Sequence, residues 1–286
     1  MKLDYKSKKW DKLLNEINKS KKFFNNHFTG EFCYYNINNE YSNFISSKSK
    51  DYIWFYNYLS HEFDRAADIC AILNKPYKEM LKNIYFSVKA FVIFYNLLLQ
   101  NNFYNDSCNN TYFLEDLNKV DLILLKAISI NRIADFKEVF SENIVVNLYN
   151  KHLDKAKRII ERINTPTDKE CENEIYFTSN AFLKELYLAI IECNERKFID
   201  LLAQRIKKYR KNPVDYATII DYPSIALIKI AKIYGIHSDC SIIEIPSVFY
   251  DKLDYDFLDI KIPIPDVLDR ILSQGYLSDG FTYELR

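Results

Sequence analysis

From Asp51 to Leu99 the chain reads DYIWFYNYLSHEFDRAADICAILNKPYKEMLKNIYFSVKAFVIFYNLLL, and this stretch decides the fold. It is rich in apolar and aromatic residues and is broken once, at Lys75–Pro76. Proline lacks the backbone donor a helix interior needs, so the pattern predicts one helix from about Asp51 to Leu73 and a second from Tyr77 to Leu99. Asp51 stands where an N-cap is needed. Two helices of this length joined by a short turn form an antiparallel hairpin. The most hydrophobic run, Ile84 to Leu99, is interrupted by Ser87, Lys89 and Asn96. A membrane span needs about 20 apolar residues, so this run is expected to be a buried core helix and no membrane association is expected.

The rest of the composition agrees with a helical fold. Among 286 residues there are four Gly and seven Pro, too few to punctuate the tight turns of a sandwich or barrel. The expected fold class is all-α or nearly so, built from packed antiparallel helix hairpins. A chain of this length buries roughly three quarters of its unfolded surface, so it needs neither disulfide nor metal to stay folded. The 23 Tyr and 20 Phe reflect either an AT-rich coding sequence or an aromatic binding surface.

Working outward, Trp10, Leu13, Leu14 and Ile17 recur at helical spacing and predict a helix over Lys8 to Phe24. Residues 25–50, rich in Asn and Ser and broken by Gly30, read as irregular. Beyond the polar loop at 101–110, Leu117, Val120, Leu124 and Ile128 mark a helix over Leu114 to Ile130. Shorter helices are expected at Ile133 to Phe140 and at Asn150 to Ile163. The turn-like run from Thr165 to Glu170 suggests the division between an N-terminal helical region, residues 1–164, and a C-terminal one, residues 165–286, expected to pack as one compact unit.

The C-terminal half opens with a clear helical pair. Ser179 caps a helix whose Phe182, Leu183, Leu186, Tyr187 and Ile190 form one stripe. After Asn194 the next helix turns Phe198, Leu201, Leu202, Ile206 and Tyr209 inward. Its Arg205, Lys207, Lys208 and Arg210 read as an outer face complementing the negative end of the helix dipole. A third helix spans Tyr222 to Tyr234, with Asp221 as N-cap, Pro223 in its first turn and Gly235 ending it. A short extended segment near residues 241–248 and a short helix over Asp266 to Ser273 complete the reading.

The common chemistries find no motif. His61–Glu62 begins like a zinc-protease helix, but Arg65 occupies the position of the second histidine. Glu62, Asp64, Arg65 and Asp68 then read as a solvated face with local charge pairs. The other histidines, His27, His152 and His237, stand far apart. Gly30, Gly235, Gly275 and Gly280 cannot assemble a phosphate-cradling loop, which removes the P-loop and dinucleotide fingerprints. The six cysteines, Cys33, Cys70, Cys108, Cys171, Cys193 and Cys240, form no C-x-x-C pair and fit a reducing compartment. Cys70 and Cys193 fall in apolar helical stretches and read as small hydrophobes. The N-terminus has no apolar signal region, so the expected location is cytoplasmic. No catalytic residue, metal ligand or cofactor is expected.

Charge offers one lead. The formal net charge is zero, with 39 basic and 39 acidic side chains, so no nucleic-acid partner is expected. Residues 1–50 nevertheless carry ten Lys against five acids, and residues 239–286 carry ten acids against four bases. The asymmetry is either neutralised within the fold or presented to a basic partner. Asp251, Asp254, Tyr255, Asp256 and Asp259 form an acidic, aromatic cluster without the central glycine of an EF-hand loop. The cluster is either a solvated loop or a protein-binding surface with its rings as anchors. These five positions are the candidate partner-binding residues.

Residues 209–236 read YRKNPVDYATIIDYPSIALIKIAKIYGI, followed by IEIPSVFY at 243–250. These roughly forty residues resemble the end of bacterial immunity protein 49, a family associated with polymorphic toxin systems. The likeness lies in a basic helix, a polar segment, the Leu227-x-Lys229-x-Ala231-Lys232-x-x-Gly235-Ile236 pattern, and the Ile245–Pro246 pair. A related helical immunity group, protecting against polymorphic nuclease toxins, shares the layout. The resemblance implies a protein that binds a cognate toxin and blocks its action, with no shared catalytic residues. Two rival readings stand beside it: a helical adaptor holding a peptide or protein in a groove, and an enzyme of unrecognised type using scattered carboxylates or a histidine. Oligomeric state is open.

Overall fold

In a computed structural model of the chain, α1 (Tyr52–Ile72) and α2 (Tyr77–Gln100) flank Pro76, each within one residue of its expected end. The structure describes residues 52–72, 77–100, 110–135, 143–163, 180–211 and 220–238, together with Lys8, Lys9, Asp11, Lys12, Asn15, Lys19 and Phe249. These residues are all-α, with no strand among them. The isolated N-terminal positions are helical and exposed, as the outer side of the helix expected over Lys8 to Phe24 requires. The extended segment near 241–248, the 164/165 division and the helix over Asp266 to Ser273 lie outside the described residues.

Helices α1 and α2 pack on each other in one compact unit. Phe63 stacks against Phe86 with ring centroids 5.3 Å apart, and the Ser60 and Ser87 hydroxyls meet at 3.1 Å. Asn83 Nδ2 donates to the Glu79 carbonyl at 3.0 Å and lies 3.8 Å from Cys70 Sγ, so Cys70 is the small buried residue expected. From Met80 to Phe94, α2 is buried on nearly every side, as a core helix should be. Of the face of α1 read as solvated, Glu62 and Asp68 are buried, 3% and 1% exposed, because charge alternation alone cannot tell inward from outward. Lys82, also buried, lays its ammonium over the Phe86 ring at 5.4 Å.

The described helices from residue 110 onward form the other unit. They are α3 (Asn110–Ser129), a 3-10 turn (Ile133–Asp135), α4 (Ile144–Tyr149), α5 (Leu153–Glu161), α6 (Asn180–Ile191), α7 (Glu195–Lys211) and α8 (Tyr222–Ile233). Helices α4 and α5 pair, as do α6 and α7, while α8 packs against α3, α4 and α6. Ile225, Ala226, Leu227, Ile228, Ile230 and Ala231 are buried, which makes α8 the core helix of this unit.

Of the expected helix at Asn150–Ile163, α5 fills Leu153–Glu161, and the short α4 before it was not expected. Asn143 caps α4 by accepting from the Val145 amide at 2.8 Å, and the chain turns at Lys151 before α5. The turn was illegible because it uses no glycine. Four helices here end in Schellman motifs, with the residue after the C-cap left-handed: Asn131 (φ 59°), Lys151 (φ 59°), Cys193 (φ 50°) and Gly235 (φ 82°). The paired bonds are present each time, as from Lys151 N to Leu148 O (3.0 Å) and from His152 N to Asn147 O (2.8 Å). A chain poor in glycine therefore places ordinary side chains in a conformation that costs them about 1 kcal/mol. Cys193, expected inside a helix, is exposed at such a turn. Lys151→Gly is expected to raise stability by roughly 0.5–1 kcal/mol, readable as a higher urea midpoint. Of the expected helix over Ile133 to Phe140, the 3-10 turn is present and residues 136–142 lie outside the described residues.

Candidate functional site

Helix α7 was expected to turn Arg205 and Arg210 outward, yet they are 8% and 5% exposed. The spacing held the signal: Arg205 follows Phe198 by seven residues and Leu202 by three, so it sits in the apolar stripe. Its partner is Asp221, the N-cap of α8. Arg205 Nε reaches Asp221 Oδ2 and Nη2 reaches Oδ1, both at 2.9 Å, a bidentate fork. The Ser224 hydroxyl donates to Asp221 Oδ2 at 2.6 Å, and the Ser224 amide to Oδ1 at 3.2 Å. Burial pushes the Asp221 carboxyl up, but the Arg205 charge and hydrogen bonds, with those of Ser224, hold it below its ordinary value.

A second buried carboxylate lies on α3. Asp121 falls in the Val120–Leu124–Ile128 stripe, another polar residue where the pattern demands an apolar one. Asn143 Nδ2 donates to its Oδ1 at 2.6 Å, and the Tyr187 hydroxyl points at Oδ2 from 3.5 Å. Burial raises Asp121 to about 6, against the lowering effect of those two bonds. Tyr187 is raised well above its ordinary value by burial and then by the Asp121 charge, with Arg205 opposing. The Arg205 charge thus reaches Tyr187. Asn143, Asp121 and Tyr187 tie α3, α4 and α6 to one another, and the Arg205–Asp221 fork ties α7 to α8.

Further polar links run along the same unit. Tyr234 donates to the Leu148 carbonyl at 2.8 Å, and Lys184 Nζ to the Ile163 carbonyl at 2.6 Å. Lys229, on α8, donates to the Ser129 carbonyl and, at 2.9 Å, to Asn131 Oδ1. Each link ends on a backbone carbonyl or a side chain of a distant helix, so these groups fix tertiary packing. Among the described residues no three His, Cys, Asp or Glu side chains gather as metal ligands would.

The sequence-derived candidates Asp251, Asp254, Tyr255, Asp256 and Asp259 lie outside the described residues. Of the segment that resembles an immunity protein, α8 and its Gly235 cap are described. Phe249 is also described, fully buried with its ring edge-on to Tyr222 at a centroid distance of 6.2 Å. That part of the pattern is core and cap. Asp121 and Asn143 were not singled out from sequence; of the two, Asp121 carried a signal, as a charged residue within an apolar stripe. No helix among the described residues is long and apolar enough to cross a membrane. No family model, curated protein or solved structure matches this chain.

Proposed function

We infer that the protein is an immunity protein, which binds a cognate bacterial toxin in the cytoplasm and neutralises it by protein–protein contact, without catalysis of its own. The observation that carries the reading is the resemblance across residues 209–250. Supporting it, Arg205 and Asp221 bond to each other, and Asp121 bonds to Asn143 and Tyr187, which fits a rigid helical scaffold that acts through its surface. Binding of this kind rests on apolar anchors ringed by charge, with the charge pattern selecting the partner.

Residues 239–286, with ten acids against four bases, are the acidic candidate for a basic toxin surface. Reversing Asp251, Asp254, Asp256 and Asp259 to Lys is expected to weaken binding of a purified cognate toxin domain by tenfold or more (about 1.4 kcal/mol). Calorimetric titration of a variant whose helical circular dichroism is unchanged reads the effect. An unaltered dissociation constant would remove the acidic cluster from the interface.

A further inference from the structure

We draw no further inference here: the strongest candidate, the buried side-chain cluster of Asp121, Asn143 and Tyr187 where α3, α4 and α6 meet, has its polar groups turned on one another and is set apart from a structural cluster only by the raised value of the Asp121 carboxyl, whose consequence belongs to folding stability.

Discussion

Arg205→Ala is expected to lower folding stability by about 3–5 kcal/mol, the largest loss among the substitutions considered. The side chains of Arg205 and Asp221 are 10% and 12% exposed, so removing the guanidinium strands a buried carboxylate. It also detaches α7 from the N-terminus of α8. Urea unfolding at pH 7 measures the loss. The companion variant Arg205→Met with Asp221→Asn keeps an N-cap side chain and removes both charges, and it should recover much of the stability, because the cost lies in the unpaired charge more than in lost volume. Equal losses for the single and double variants would refute that. The pH dependence has a definite sign. Asp221 titrates below its ordinary 3.8 in the fold, so its contribution is present above that value and is lost as pH falls through the folded-state value.

Asp121→Asn is expected to act the other way, raising stability at pH 7 by roughly 2–3 kcal/mol. The folded carboxyl titrates near 6 against an ordinary 3.8. The folded state therefore binds the proton more tightly, and stability falls as pH rises from about 4 to about 6. Asparagine avoids the cost of the charge while its oxygen still accepts from Asn143 and its amide faces the Tyr187 oxygen. The gain should be full at pH 7 and vanish near pH 4, where the native carboxyl is protonated as well. Thermal midpoints of the two proteins across that range give the answer, and a gain independent of pH would show that packing, not charge, is responsible.

The hairpin of α1 and α2 was legible because Pro76 marks the break and apolar residues fill the helices on either side. Asp221, Pro223 and Gly235 announced α8 through capping chemistry, and the Asp221 bond to the Ser224 amide realises it. Where glycine was absent, the sequence misled. Lys151 and Cys193 adopt left-handed turns that no residue preference signals, so α4 was missed and Cys193 was placed inside a helix. Polar residues misled in another way. Glu62, Asp68 and Arg205 are charged, and charge alone argues for solvent, whereas position in the apolar stripe argues for the interior. At Arg205 the stripe was the better guide, because an acid on the neighbouring helix end compensates the burial. The pairing of Asp121 with Asn143 and Tyr187 spans residues far apart in sequence, and no local pattern encodes it. The acidic cluster at 251–259 lies outside the described residues and rests on sequence alone.

The most direct measurement is survival of bacteria that express a candidate toxin domain, with and without this protein, together with the ratio in which the two purified chains combine. Growth is expected only when this chain is present, together with a stoichiometric complex between intact molecules. Killing unaffected by its presence, or protection that follows chemical alteration of the toxin without a lasting complex, would contradict it.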